Sequence, residues 1–355
     1  MNILIDCRNF RSNINGISRY ILNYLTNVNL KHIKITIALP KKIHPFFSEK
    51  IKNLELKKCQ FEILHPFYKY NYQNEDLIWC PAHRIPFNLD KKIPCVVTIH
   101  DLVWKFFKKT MHTKQFISEF LFFNNAVKRA DGIICVSKST KNDLLKFFPD
   151  CASKSKVIYH GLNSHKADKI VNKNFFLMVG SIEPRKNFSN TLKAYSQLPV
   201  NIKKNYKIII ATSSSWKTNI SKLIKQLKIE DGIEIIKNVS DNSLSQLYAE
   251  CYCVLYPSFY EGFGFPIIEA YHHGKPVITS NCSSMSEISH SASINIDPYS
   301  IEDLKFSMIN IVNNKNLHQQ LSLKSKEASY NFLLKNSIDN TNFFFKEILN
   351  RKKYV

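Results

Sequence analysis

Two carboxylates flank a glycine-containing turn in the segment Glu261-Gly-Phe-Gly-Phe-Pro-Ile-Ile-Glu269. Because proline suits the first position of a helix, Pro266 predicts a loop up to Phe265 and then a helix with Glu269 in its first turn. The unpaired N–H groups and the dipole of a helix start attract anions such as phosphate, and nearby carboxylates suit hydroxyl groups. The segment therefore indicates a ligand that carries both, as a sugar nucleotide does. The alternative is that the acidic residues only stabilise a helix N-terminus.

A second charged segment, Gly180-Ser-Ile-Glu-Pro-Arg-Lys-Asn187, lies between a predicted strand and a predicted helix. Basic side chains at a helix start oppose its dipole unless an anion lies between them. Arg185 and Lys186 are therefore predicted to bind a diphosphate, the guanidinium in a bidentate fashion and the ammonium as a point charge. An exposed basic turn that binds nothing is the alternative.

Two further candidates lie in the N-terminal half of the chain. Gly16, within residues 11–18, follows the first predicted strand and would allow a phosphate to approach the backbone closely. The segment has neither the GxGxxG fingerprint nor the GxxxxGK[ST] loop, so its signal is weak. His100, within residues 98–102, ends another strand and is expected to face the ligand, although a structural histidine is the alternative.

Short β-branched runs alternate with helical patterns, which predicts parallel sheets covered by helices on both faces. The pattern restarts in the second half, so the expected α/β fold has two Rossmann-like, doubly wound domains that face a central cleft. The predicted domains are residues 1–163 and 175–335, joined by a polar linker over 164–174. A helix over 336–355 is expected to pack back toward the first domain. Ligands of open parallel sheets bind beyond the carboxyl ends of the strands, where every candidate falls.

Composition narrows the class of protein. The chain has 355 residues, 44% of them hydrophobic, which suits two cores, and its formal charge of +22 is concentrated in the first half. Such a charge favours nucleic acid, phospholipid headgroups or a phosphorylated substrate, but the chain has no helix-turn-helix, zinc or RNA-binding signature. Nine scattered cysteines are typical of reduced thiols in a cytoplasmic protein. No apolar run is long enough to cross a bilayer, and the start of the chain does not resemble a signal peptide.

Residues 105–109 and 114–123 place aromatic side chains among basic ones, as in a helix that lies at a membrane interface. An amphipathic helix that faces the core is the alternative. The first interpretation predicts peripheral binding to the anionic inner face of the cytoplasmic membrane.

Together these motifs resemble the family 4 glycosyltransferases of the B-type (GT-B) fold, in particular bacterial mannosyl- and rhamnosyltransferases of surface polysaccharide synthesis. The Glu261 to Glu269 segment matches the family's Glu-x7-Glu motif, and residues 181–187, 135–140 and 157–161 match supporting signatures. The resemblance covers most of the chain and is densest over residues 176–290. It implies a nucleoside-diphosphate sugar as donor and a saccharide, free or lipid-linked, as acceptor.

The resemblance also implies roles within the donor site. Glu269 would bind the ribose hydroxyls, and Glu261 a hydroxyl of the donor sugar. Phe263, Gly264 and Phe265 would offer backbone N–H groups to the sugar and the diphosphate.

The remaining roles concern the phosphates, the base and the reacting carbon. Arg185 and Lys186 would hold the diphosphate, with Gly16 approaching it from the other domain. Many relatives have arginine where this chain has Ser181, so Arg185 and Lys186 are expected to contribute more of the diphosphate binding here. Asp241 would lie near the base, although an aspartate before a helix also suits an N-cap. His100 would contact the donor sugar; with Glu261, Arg185 and Lys186 it completes the predicted catalytic group.

The expected reaction is transfer of a hexosyl group, mannose or rhamnose, with retention of anomeric configuration, in O-antigen, capsule or lipopolysaccharide synthesis. Retention follows from the resemblance alone. The chain has no Asp-x-Asp motif, so neither a metal nor another cofactor is expected, and Arg185 with Lys186 would stabilise the departing diphosphate. The alternatives are a non-hydrolysing sugar-nucleotide epimerase of the same fold and a basic nucleic-acid-binding protein. Nucleic acid is not expected as a partner of the enzyme.

Overall fold

The computed structural model describes residues 1–7, 10, 16–40, 42–55, 60–63, 74–85, 89, 92–108, 113–163, 172–212 and 220–353. The chain forms two compact units. The first comprises Met1–His160 together with Leu334–Val355, and the second comprises Gly161–Leu333. The first unit is therefore completed by the C-terminal end of the chain.

The first unit is a parallel sheet whose strands alternate with helices. Among the described residues its strand order is β3-β2-β1-β4-β5-β6-β7. Its elements in chain order are β1 (Asn2–Asp6), α1 (Gly16–Asn27), β2 (Lys34–Leu39), α2 (Pro45–Glu55), β3 (Gln60–Ile63), β4 (Leu77–Cys80), β5 (Cys95–Ile99), α3 (Val103–Phe106), α4 (Thr113–Arg129), β6 (Gly132–Cys135), α5 (Lys138–Phe147) and β7 (Ser155–Val157).

The second unit repeats this plan with the described strand order β10-β9-β8-β11-β12-β13. Its elements are β8 (Phe175–Val179), α6 (Phe188–Ser196), α7 (Val200–Asn205), β9 (Lys207–Thr212), α8 (Ile220–Gln226), β10 (Ile233–Lys237), α9 (Asp241–Glu250), β11 (Cys253–Tyr256), α10 (Phe265–His272), β12 (Val277–Ser280), α11 (Ser283–Ser289), β13 (Ser293–Ile296), α12 (Ile301–Asn313) and α13 (Lys315–Ser329).

The last helix, α14 (Leu334–Lys353), packs in the core of the first unit. Its Phe344 and Phe345 are almost fully buried there. The Tyr24 hydroxyl on α1 donates to Asn342 Oδ1 at 2.6 Å. At Gly132, a Cβ would lie 2.9 Å from the Ile348 side chain, so a residue without a side chain is needed for the helix to pack this closely on β6.

In both sheets the central strands are buried on both faces, so their sequences are continuous apolar runs. Four strands were not predicted from the sequence. Three of them, β3, β7 and β13, lie at or next to sheet edges, whereas β4 is a central strand of four buried apolar residues that was missed. The predicted linker over 164–174 falls outside the described residues except for 172–174. A helix predicted to begin at Trp216 is described from Ile220 onward.

One prediction about the Glu261 to Glu269 segment is wrong. The helix α10 begins at Phe265, so Pro266 is its second residue and Glu269 its fifth. Glu269 therefore belongs to the second turn, beyond the unpaired N–H groups of the helix start.

The order of strands along each sheet reverses at one place, between β1 and β4 in the first unit and between β8 and β11 in the second. Ligands of doubly wound sheets bind in the crevice outside the carboxyl ends of the strands at such a switch point. In the second unit the segments that leave β8 and β11 are residues 180–187 and 257–264. These segments contain half of the ten candidate residues, namely Arg185, Lys186, Glu261, Phe263 and Gly264.

Candidate active site

The two segments that leave β8 and β11 are joined by a cluster of charges. Glu261 Oε2 lies 2.5 Å from Arg185 Nη1, and Glu261 Oε1 lies 3.3 Å from Lys186 Nζ. Arg185 Nη1 also donates to the Tyr260 carbonyl at 3.3 Å, and the Arg185 carbonyl accepts from the Phe259 N–H at 2.7 Å. The structure thus brings together three of the predicted catalytic side chains, although Glu261 is 75 residues or more from the two cations in the chain. A carboxylate, Glu261, faces the two cations for which the sequence predicted an anion.

Glu261 is 8% exposed, and its burial alone would raise the pKa of its carboxyl. Arg185 and Lys186 more than offset that effect, and the net result lowers the pKa of Glu261 to about 2. The side chain is therefore an anion at any physiological pH. Its paired cations keep part of their surface in contact with solvent, 17% for Arg185 and 12% for Lys186.

The backbone around the cations requires special conformations at two residues. Gly180 has φ +128°, and a Cβ there would lie 2.9 Å from Lys186 Nζ, so the lysine side chain lies where any other residue would have its own. Asn187 is left-handed, with φ 59°, and its Nδ2 donates to the carbonyls of Pro257 and Pro298 at 3.0 and 2.7 Å. These bonds tie the start of α6 to the segments after β11 and β13.

Serine hydroxyls fix the main chain of Glu261. Ser283 and Ser284, in the first turn of α11, donate to the Glu261 carbonyl at 2.7 and 2.8 Å. Ser258 Oγ donates to Glu261 Oε1 at 3.3 Å. The carboxylate is therefore held from both its backbone and its side chain, as a preorganised site requires.

A second carboxylate also contacts Arg185. Glu183 Oε2 accepts from Arg185 Nε at 2.8 Å, and Glu183 Oε1 accepts a short hydrogen bond from Ser181 Oγ. The Ser181 hydroxyl therefore orients the acid that orients Arg185. Sequence reasoning missed Glu183, although its spacing of two residues from Arg185 was a usable signal.

Glu269 lies on α10, where its Oε2 accepts a hydrogen bond from the Tyr248 hydroxyl at 2.6 Å. Asp241, the other residue predicted near the nucleotide, is exposed and is the first residue of α9. The N-cap of that helix is Ser240, whose Oγ accepts from the Ser243 N–H at 3.1 Å. The capping alternative for Asp241 is therefore wrong, and its place near a base stays a prediction.

The three residues predicted to offer backbone N–H groups form the turn into α10. Gly264 occupies the N-cap position with φ +112°, a conformation that favours glycine. Phe263 is buried, and its ring contacts Phe265 and Phe332 at centroid distances of 5.6 and 6.1 Å. These ring contacts hold the turn whose backbone N–H groups are predicted to bind the sugar and the diphosphate.

His100 follows β5 in the first unit and is held by backbone and aromatic contacts. Its Nε2 lies 2.7 Å from the Pro81 carbonyl, which only accepts, so Nε2 carries the proton. Burial lowers the pKa of His100 to about 4, so the ring is neutral and its Nδ1 is an acceptor. The ring stacks on His160 at 5.4 Å and meets the edge of Tyr20.

Gly16 is the first residue of α1 and is exposed. A Cβ built there would meet no atom of the described residues within 4 Å, so none of those residues requires a glycine by contact. The residues 11–15 of this motif lie outside the described part of the chain. Close approach of a phosphate to Gly16 stays a prediction.

Two observations concern metals and membranes. In the described ranges, no three histidine, cysteine, aspartate or glutamate side chains lie close enough together to hold a metal ion. No helix within those same ranges has the length and apolar character needed to cross a bilayer.

Comparison with known proteins shows that the chain is similar to glycosyltransferases. The chain is 36% identical over 129 residues to O-antigen chain mannosyltransferase B of Escherichia coli, a match that covers 36% of this chain and about a third, 34%, of that relative. It is 26% identical over 312 residues to O-antigen chain mannosyltransferase RfbU of Salmonella typhimurium, covering 80% of this chain and 83% of that protein.

Solved structures show the same fold at lower identity. Anabaena HepE in complex with UDP and glucose superposes with a TM-score of 0.74 at 15% identity, covering 97% of this chain and 99% of that one. WaaG, a glycosyltransferase involved in lipopolysaccharide biosynthesis, superposes with a TM-score of 0.70 at 14% identity over 96% and 98% of the two chains. The predicted GT-B fold class is confirmed.

Two family models match consecutive parts of the chain. Glycosyltransferase Family 4 matches residues 14–166, and Glycosyl transferases group 1 matches residues 162–328, the part that contains the charge cluster and Glu269. The chain belongs to the family 4, group 1 glycosyltransferases.

Proposed function

We propose that this glycosyltransferase moves a mannosyl or rhamnosyl group from a nucleoside-diphosphate sugar to a saccharide acceptor in bacterial surface polysaccharide synthesis. The observation that carries the proposal is the cluster of Arg185, Lys186 and Glu261 at the switch point of the second unit. The O-antigen mannosyltransferases among its relatives support mannose and an O-antigen product. The solved relative that holds UDP and glucose supports a nucleotide-sugar donor.

The cations provide the electrostatics of the reaction. When the bond between the sugar's anomeric carbon and the diphosphate oxygen breaks, the electron pair goes to the diphosphate and positive charge develops on the sugar ring. Arg185 and Lys186, largely buried and already oriented, stabilise the departing diphosphate without reorganisation. Glu261 accepts a hydrogen bond from a sugar hydroxyl, and Glu269 from the ribose. The acceptor hydroxyl bonds to the anomeric carbon and gives its proton to a phosphate oxygen, with retention of configuration.

A transfer assay tests the donor and acceptor together. Purified full-length protein is incubated with nucleoside-diphosphate mannose or rhamnose, with and without a saccharide acceptor, and the products are separated by mass spectrometry. Transfer that requires the acceptor and survives EDTA supports the proposal, including its independence of metal. Conversion of the sugar without any acceptor would identify the epimerase alternative. A donor panel that gives neither product nor thermal stabilisation would refute the proposal, because a ligand at about 100 times its Kd adds about 2.7 kcal/mol to stability.

Peripheral contact with an anionic membrane forms the second part of the proposal, and α4 supports it. That helix buries Phe123 and Val127 in the core, as the core-facing alternative expected. It also leaves Ile117, Phe120 and Leu121 exposed by 50, 44 and 60%. Three large apolar side chains exposed on one described helix are unusual for a surface that faces only water.

Aromatic and basic residues extend this surface. Phe106 and Phe147 are 42 and 41% exposed and contact each other at 6.0 Å. Lys105 Nζ lies 4.7 Å from the Phe147 ring, and Lys146 Nζ lies 6.0 Å from the Phe106 ring. Apolar side chains with ammonium groups beside them suit the interface of an anionic leaflet, which would present a lipid-linked acceptor to the first unit.

Flotation with vesicles of anionic and of neutral phospholipid tests this surface. The double variant F120S/L121S should lose association with anionic vesicles that high salt also abolishes. The matched variant F306S/L323S removes the same two residue types, 61 and 66% exposed on the second unit, and should float as the unaltered protein does. No salt-sensitive flotation of the unaltered protein, or equal loss in both variants, would refute membrane binding while leaving the donor site untouched.

A further inference from the structure

A buried tyrosine lies behind the carboxylate that is expected to bind the nucleotide. The Tyr248 hydroxyl donates to Glu269 Oε2 at 2.6 Å, across two helices, α9 and α10. We infer that Tyr248 is a positioning residue that orients the Glu269 carboxylate toward the two ribose hydroxyls, an inference that rests on the proposed donor site. Tyr248 thereby determines specificity for ribonucleoside over deoxyribonucleoside diphosphates.

Burial and contacts with α10 fix the position of the Tyr248 side chain. Its side chain is 2% exposed, and its ring lies parallel to that of His273, with centroids 5.8 Å apart and planes 5° from parallel. His273 is the C-cap residue of α10, and its Nε2 lies 3.3 Å from Ser245 Oγ on α9. Tyr248, on α9, is therefore held against α10 by the His273 ring and by Glu269, and Ser245 of α9 contacts that ring in turn.

The direction of the hydrogen bond is also fixed. Burial, followed by the negative charge of Glu269, raises the pKa of Tyr248 well above its usual value. The phenol keeps its proton, so the hydroxyl donates and the carboxylate accepts. Such a bond to a charged acceptor is among the stronger hydrogen bonds in proteins.

The hydrogen bond from Tyr248 restricts the conformations of the Glu269 side chain. A glutamate on a helix has three rotatable bonds, and a hydrogen bond to Oε2 sets both the reach of the carboxylate and the plane of its oxygens. The helix beneath it is rigid, because Ile267, Ile268 and Tyr271 are fully buried. A carboxylate accepts several hydrogen bonds, so the bond from Tyr248 leaves capacity for two ribose hydroxyls. Losing this bond would leave more of the ordering of the side chain to the diol when it binds.

Tyr248→Phe separates positioning from packing, because it removes the hydroxyl and keeps the buried ring. Calorimetry measures the affinity of the full-length protein for a ribonucleoside diphosphate and for its 2′,3′-dideoxy analogue. The unaltered protein should prefer the ribonucleotide. The variant should lose about tenfold in affinity for the ribonucleotide, the scale of one hydrogen bond to a charged group, and keep its affinity for the dideoxy analogue.

Tyr252→Phe is the matched control. Tyr252 is also buried in the second unit, and its hydroxyl donates to the Ile311 carbonyl at 3.1 Å, away from Glu269. It should leave both affinities unchanged. Should Tyr248→Phe fail to fold, His273→Ala removes the ring that holds Tyr248, and a loss confined to the ribonucleotide is again expected.

The outcomes separate the inference from the function on which it rests. An unaltered protein that binds no nucleoside diphosphate refutes the donor site itself. Where the unaltered protein prefers the ribonucleotide, unchanged affinities in Tyr248→Phe, or equal losses for both ligands, overturn the positioning role. A loss for the ribonucleotide alone in Tyr248→Phe, and no loss in Tyr252→Phe, supports it.

Discussion

Replacing Glu261 by glutamine removes one charge and keeps the shape of the side chain, which isolates the electrostatic part of the cluster. The pKa of Glu261 is lowered to about 2 from an ordinary value of about 4.5. Each unit of such a difference corresponds to about 1.4 kcal/mol, so the ionised carboxylate contributes about 3 kcal/mol to the free energy of unfolding at pH 7. Glu261→Gln should lose about that amount, because Arg185 and Lys186 then lack their shared counter-ion.

The way in which the free energy of unfolding depends on pH tests the direction of this effect. A carboxyl whose pKa is lowered by folding stabilises the protein above its unfolded pKa, and that stabilisation is lost as pH falls toward its folded pKa. The difference between the unaltered protein and Glu261→Gln should therefore be full at pH 7 and less than half as large near pH 3, about one unit above the folded pKa.

Urea unfolding followed by far-ultraviolet circular dichroism measures the difference, because both units contain helices that contribute to this signal. Glu302→Gln is the control, because its pair with Lys305 leaves the glutamate side chain 57% exposed and exposed pairs contribute little. A loss in Glu261→Gln that is no larger than in the control, or that is the same at pH 3 and pH 7, would refute the electrostatic argument.

Three further changes test the site. Lys186→Ala should weaken binding of nucleoside diphosphates about tenfold or more by calorimetry, with an unchanged circular dichroism spectrum, because it removes a charged partner of the phosphates; unchanged affinity would exclude Lys186 from the donor site. Gly180→Ala should lower both thermal stability and nucleotide affinity, since φ is +128° and the new Cβ would lie 2.9 Å from Lys186 Nζ; normal affinity would show that the lysine relocates without cost. His100→Gln should flatten the pH dependence of stability in the first unit. His100 binds its proton near pH 4 when folded and near 6.5 when unfolded, so the stability that it contributes is lost as pH falls through that window; an unchanged slope would mean that His100 titrates normally.

The sequence predicts the sheets better than the site. Central strands such as β5 and β11 are recognisable because burial on both faces demands apolar runs, whereas β13 lies at an edge, only one of its four residues is buried, and it gives no such signal. The types of the charged residues indicate a phosphate ligand, because cations at a helix start conflict with its dipole. The partners of these charged residues were not predictable from the sequence. The contact between Arg185 and Glu261 depends on the order of β8 and β11 in the sheet, which no local pattern encodes.

The conflict at the start of α6 explains why Glu261 is an acid. Two cations beside a helix N-terminus would repel each other and oppose its dipole, and the Glu261 carboxylate contacts both and offsets part of this cost. The ion pairs also fix geometry, so the carboxylate holds Arg185 and Lys186 in the positions that the proposed departing diphosphate needs. Under the proposed function, a diphosphate that binds these cations would leave the Glu261 carboxylate with acceptor capacity for a sugar hydroxyl. On that proposal, one side chain connects the charge of the leaving group with recognition of the sugar that is transferred.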